Sequence, residues 1–200
     1  MEEEKVTVKN DNMVAGIDLS LCSPAICIGN IKDLRAKYCT HYYVGTGEAA
    51  DNYKPLRLPK GPWETELDRC YALADWVITR LQKHFVHTVY VESIAFRAVN
   101  FDLRQGMATQ VLHDVLKKQG FDVRWVNLST VKKRATNNGR ANKHAVYKKY
   151  LNSYTKYAML PIKQSARFDV ADSYFILLTG EQLRNEKEGK QTNLFVDSQV

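Results

Sequence analysis

The chain has 200 residues, of which 44% are hydrophobic and 26% charged, and its formal net charge is +7. This is the balance of a soluble globular protein with one sizeable core, and no apolar run approaches the roughly 20 residues of a membrane span. The opening Met1-Glu2-Glu3-Glu4 has the wrong charge for a secretory leader, so the expected location is intracellular and cytoplasmic, in a cell or in the host of a phage or virus. Cys22, Cys27, Cys39 and Cys70 lack zinc-site spacing and read as reduced thiols.

Residues 1–12 are polar and read as a flexible tail. "MVAGIDLS" is the first strand, "PAICIGNI" the second and "AKYCTHYYVG" the third, close enough in sequence for an antiparallel meander. Residues 45–62, with Gly45, Gly47, Pro55, Pro59, Gly61 and Pro62, read as a long loop. Trp63 opens an amphipathic helix in which Leu67, Cys70, Tyr71, Ala74, Val77, Ile78 and Leu81 recur at helical spacing. "TVYVES" is an apolar strand ending at Glu92, followed by a helix from Phe101 to Gln119 and by a fifth strand, "FDVRWVN". Strand, helix and strand in that order imply a parallel pair. A short turn or helix at Ser129–Arg134, a polar loop, a helix from about Ala141 and a final helix containing "FDVADSYFILL" complete the order. The expected fold class is α/β: a mixed five-stranded sheet flanked by helices, with a domain over 13–184 and a C-terminal tail over 185–200.

Four acids stand out. Asp18 and Glu92 each end an apolar strand, and Asp169 and Asp172, three apart on a helix, project from one face. Each alone has an ordinary structural reading: Asp18 capping a turn, Glu92 pairing with a lysine, Asp169 as a helix N-cap and Asp172 in a first helical turn. Together, four converging carboxylates repel unless cations neutralise them, and hard divalent cations with oxygen ligands, Mg²⁺ or Mn²⁺, suit them. Two such ions per site would clamp the attacking and leaving oxygens of a phosphodiester. Between Lys117 and Arg167 there are thirteen Lys and Arg and one acid, Asp122, an imbalance that favours a polyanionic partner, nucleic acid first.

"GIDLS", "VYVES", "VKKRATNNGRANK" and "FDVADSYFIL" resemble the motifs of RuvC-type Holliday junction resolvases in the ribonuclease H-like superfamily, and the "DVADS" form is similar to that of poxvirus resolvases. The resemblance spans Val14 to Leu178. It implies that Asp18, Glu92, Asp169 and Asp172 bind metal and are catalytic, and that Lys143 lies near the scissile phosphate, as does Lys132. It departs from the family at Leu19-Ser20, where Pro-Gly is common. Lys132, Lys133, Arg134, Arg140, Lys148 and Lys149 are the expected DNA contacts. Phe96, in the loop directly after Glu92, is the candidate for stacking on unpaired bases, whereas Phe101 reads as a packing residue.

The expected activity is metal-dependent endonucleolytic resolution of four-way DNA junctions by symmetric paired nicks, in recombination, repair or replication. One site per chain implies a homodimer. The helix at Phe101–Gln119 is where the resemblance puts the pairing, with Gly106, Ala108 and Thr109 suited either to that or to packing on the sheet. The alternatives are a less selective nuclease on forks, flaps and other branched DNA, and a non-catalytic nucleic-acid-binding module. Four acids beside DNA argue against the second alternative.

Overall fold

The computed structural model describes residues 12–45, 53–93, 102–153 and 164–190. In chain order it contains β1 (Met13–Asp18), β2 (Ala25–Asn30), a 3₁₀ turn (Ala36–Tyr38), β3 (Thr40–Val44), β4 (Tyr53–Leu56), α1 (Glu66–Lys83) and β5 (Thr88–Glu92). There follow α2 (Leu103–Lys118), β6 (Asp122–Val126), α3 (Leu128–Thr136), α4 (Lys143–Asn152) and α5 (Gln164–Lys187). The strands form one sheet in the order β4-β3-β2-β1-β5-β6. β1, β2 and β3 pair antiparallel, as the short turns demand, and β5 lies parallel to both β1 and β6.

Alternation along the strands divides the core into two layers. Ala15, Ile17, Ile26, Ile28, Val89 and Val91 pack with α1 and α2 on one face. Val14, Ala25, Cys27 and Tyr90 pack with α3, α4 and α5 on the other. The mixed, helix-flanked sheet is therefore as expected, with one strand more than the five anticipated.

The additional strand is β4, inside the segment read as a loop over 45–62. It runs parallel to β3 at the edge of the sheet, where Pro55 removes no hydrogen bond that a neighbour needs. Buried Tyr53 holds it there by stacking on His41 at 4.8 Å and bonding its hydroxyl to that of Tyr150. The third strand starts at Thr40 rather than Ala36, because Ala36–Tyr38 close a 3₁₀ turn. α1 starts at Glu66 rather than Trp63, since Thr65 forms a capping box with Asp68. α5 runs on to Lys187 and buries Asn185, so helix occupies the start of the stretch read as a tail from 185. Asp169 lies inside α5, not at an N-cap. Phe96 and Phe101 lie outside the described residues. Among the described residues no helix is long and apolar enough to cross a membrane.

Candidate active site

The parallel register pairs Ile17 with Val91, so the next residues, Asp18 and Glu92, end neighbouring strands side by side. Both follow the alternation that points Gly16 and Tyr90 toward α5. The helix approaches because two glycines allow it. A Cβ on Gly16 would lie 2.3 Å from the Ser173 carbonyl oxygen and 2.5 Å from the Leu177 nitrogen. A Cβ on Gly180 would lie 2.2 Å from the Tyr90 ring. α5 thus rests directly on β1 and β5. Two strand residues from Gly16 to Asp18 span about 6.6 Å, and four helical residues from Ser173 back to Asp169 span about 6 Å. The close contact therefore sets both helical acids level with the two strand ends.

Asp169 and Asp172 are only 6% and 7% exposed, while Asp18 and Glu92 are half-buried. Desolvation, then the fields of Asp172, Asp169 and Glu92, push the Asp18 pKa well above the usual carboxylate range, against the pull of Lys143. Desolvation and then Asp172 raise Glu92, with Lys132 and Lys143 opposing. Asp172 is pushed up to about 6, first by desolvation, with Asp169 adding to it and Lys143 and Lys132 subtracting. Each carboxylate named in these shifts acts on another, so the four acids share one electrostatic environment.

The cation ion-paired to the helical acids is Lys143. Its Nζ lies 3.4 Å from Asp169 Oδ1 and 3.6 Å from Asp172 Oδ2. Asn142 caps α4 by accepting from the Ala145 N–H, which makes Lys143 the first helical residue. A cation is disfavoured at a helix N-terminus, so the acids opposite must hold it there. Burial lowers the Lys143 pKa, but Asp18, Asp172 and Asp169 outweigh it and the net shift is upward.

Of the expected DNA contacts, Lys133, Arg140 and Lys148 are exposed, and Lys132 and Lys149 are half-buried. Lys132 acts on Glu92 and Asp172 and so belongs with the acids. Arg134 instead holds Glu186 in a two-pronged ion pair at 2.9 and 2.8 Å. Gly106, Ala108 and Thr109 are buried within the chain itself, on the packing side of α2.

The sequence reading missed two residues beside the site. Gln105 donates to the Leu19 carbonyl, and Arg69 Nη2 donates to the Leu21 carbonyl at 2.8 Å. Their partners lie 86 and 48 residues away, and no local spacing signals such contacts.

A divalent cation fits the chemistry of the donor set. Four carboxylates face two lysines, Lys143 and Lys132, and Asp169 Oδ2 is buried with no hydrogen-bond partner among the described residues. As they stand, no three His, Cys, Asp or Glu side chains among the described residues form a group that could hold a metal ion. Hard oxygen donors in excess of local positive charge nonetheless suit Mg²⁺ or Mn²⁺.

No protein-family model matches the sequence, and no curated protein does. Solved structures do match the fold. The Thermus thermophilus RuvC structure is 20% identical, with 89% of this chain and 97% of that one covered and a TM-score of 0.58. T. thermophilus RuvC in complex with Holliday junction substrate is 19% identical, with 88% and 96% covered and a TM-score of 0.60. The two-layer flanking of a mixed sheet, with acids at the ends of β1 and β5 and on α5, thus stands on an established scaffold: the chain has the RuvC-type resolvase fold.

Proposed function

We propose that this chain is a metal-dependent, structure-selective DNA endonuclease that resolves four-way junctions by paired symmetric nicks as a homodimer in the cytoplasm. The observation that carries the reading is the cluster of Asp18, Glu92, Asp169 and Asp172 at one end of a RuvC-type sheet, with Asp169 and Asp172 ion-paired to Lys143 and the pKa values of Asp18 and Asp172 raised by burial and neighbouring acids. Lone acids at strand ends need no such neighbours. A nucleic-acid-binding module gains nothing from burying them beside DNA.

The four acids would hold one or two Mg²⁺ or Mn²⁺ ions. Bound there, the metal supplies an activated water and stabilises the charge that develops on the phosphate. The chain's own residues do the rest. Lys143 presents an ammonium beside the acids, and Lys132 adds a second positive field from α3, so a phosphate entering between them is held electrostatically. Lys133, Arg140, Lys148 and Lys149 extend this charge along α3, the loop after it and α4, and hold the DNA backbone. Arg134 contributes only where DNA displaces Glu186. Because Gly106, Ala108 and Thr109 face inward, pairing of two chains would use the outward side of α2, where Leu103 is exposed.

The test compares a four-way junction, a fork and a linear duplex with Mg²⁺ and with EDTA. The expected result is paired nicks in the junction with Mg²⁺ alone, and Asp169→Asn should abolish them while sparing junction binding. Equal cleavage of linear duplex, or full activity in Asp169→Asn, would defeat the reading.

A further inference from the structure

The loop that leaves Asp18 is held from the opposite face of the sheet. Gln105, in the first turn of α2, donates to the carbonyl of Leu19, and Arg69, in the first turn of α1, donates to the carbonyl of Leu21 at 2.8 Å. Glu66 holds the other arm of Arg69 at 3.2 Å. Across the second anchor the loop closes on itself, with Ser20 Oγ accepting from the Ser23 N–H at 2.8 Å. The loop reads Leu19-Ser20-Leu21-Cys22-Ser23-Pro24, with no glycine and with its one proline at the far end, next to β2 and away from Asp18. Beside Asp18, at Leu19 and Leu21, its backbone is held by donors from elsewhere in the fold.

Asp18 needs that support. It is the last residue of β1, it keeps partial access to solvent, and it is repelled by Asp172, Asp169 and Glu92. Hydration and repulsion both favour swinging its carboxylate outward. The Leu19 carbonyl belongs to the second peptide after Asp18, so a donor fixed on a helix restrains the backbone that aims the side chain. We infer that Gln105 and Arg69 are positioning residues, which clamp the loop after β1 and hold the Asp18 carboxylate inward for the divalent cation. This rests on the metal-dependent nuclease reading above.

Mn²⁺ binding to the full-length chain, measured by calorimetry without DNA, tests the clamp apart from catalysis. Gln105→Ala and Arg69→Ala should each weaken Mn²⁺ about tenfold, the loss typical when a group that orients a metal ligand is removed. Arg69→Lys, which still donates to the Leu21 carbonyl, should recover most of it. Val77→Ala, in the buried core of α1, should lower the melting temperature and leave Mn²⁺ affinity unchanged. In single-turnover cleavage of a four-way junction, the clamp variants should approach the parent rate at saturating Mn²⁺. Parent-like Mn²⁺ affinity in folded Gln105→Ala and Arg69→Ala overturns the inference, as does an equal loss in Val77→Ala. A parent chain that binds Mn²⁺ but cuts no branched DNA defeats the nuclease reading alone, and the affinity comparison then still decides the clamp. A parent that binds no Mn²⁺ overturns both.

Discussion

Replacing Asp172 with Asn should make the metal-free protein more stable at neutral pH. The carboxyl titrates at about 6 in the fold against 3.8 when unperturbed, and it is only 7% exposed. Each tenfold change in proton affinity corresponds to about 1.4 kcal/mol, so the ionised group costs the fold about 3 kcal/mol above pH 7. That figure already sets the attraction of Lys143 and Lys132 against desolvation and Asp169. The sign follows from proton binding: with its pKa raised, the folded state holds more protons than the unfolded state between 3.8 and about 6. Stability therefore falls as pH rises through that window, and the cost vanishes below it. Asn is the neutral isostere and escapes the cost. Urea unfolding in EDTA at pH 7.5 should show the variant more stable by about 2–3 kcal/mol, shrinking below about 1 kcal/mol at pH 4. Added Mg²⁺ should stabilise the parent and close part of the gap. A variant no more stable than the parent at pH 7.5, or a gain that does not change with pH, would refute the argument.

Three further outcomes follow from the same geometry. Lys143→Ala should slow single-turnover cleavage more than it weakens junction binding, whereas Lys148→Ala and Lys149→Ala should weaken binding and flatten its salt dependence; a salt series of affinity and rate separates them. Gly16→Ala should destabilise the fold by about 3 kcal/mol or more, because the added methyl meets α5 backbone that cannot rotate away, and chemical denaturation measures it. His41 is fully buried, with its pKa depressed to about 4 mainly by desolvation, so the fold should lose about 3 kcal/mol as pH falls from 6.5 to 4. His41→Phe, which keeps the ring on Tyr53, should flatten that limb of the pH–stability curve, and an unchanged limb would show that another group is responsible.

The acids were legible in the sequence because their signal is local and improbable. A carboxylate at the end of an apolar strand contradicts its surroundings, and an i,i+3 pair inside an apolar helix does so twice. The strand–helix–strand order around Glu92 was legible for the same reason, since hydrophobic period and length agree there. β4 was not, because Pro55 and the flanking glycines carry turn signals, while the features that make it a strand are tertiary: a buried Tyr53 and an edge position. Arg134 reads as one more base in a basic run, and only α5 reveals Glu186 opposite it. Gly106, Ala108 and Thr109 were ambiguous because small residues look alike whether they face a sheet or another helix.

The two glycines explain how the fold tolerates its own site. Burial and the fields of neighbouring acids raise the pKa values of Asp18, Glu92 and Asp172, which opposes folding, so the contact that gathers the site must be strong for reasons unrelated to charge. Gly16 and Gly180 provide it, since each removes a side chain where α5 would otherwise stand off the sheet. The apolar run from Tyr174 to Leu178 then buries between them, on the α5 stretch that follows Asp169 and Asp172. Packing and the site's charge are thus separated along one helix: Tyr174 to Leu178 hold α5 down, and Asp169 and Asp172 before them carry the site's acids. A change at Gly16 should accordingly impair metal binding as well as stability, because it moves both helical acids together. A change at Asp172 should remove metal binding while stabilising the fold.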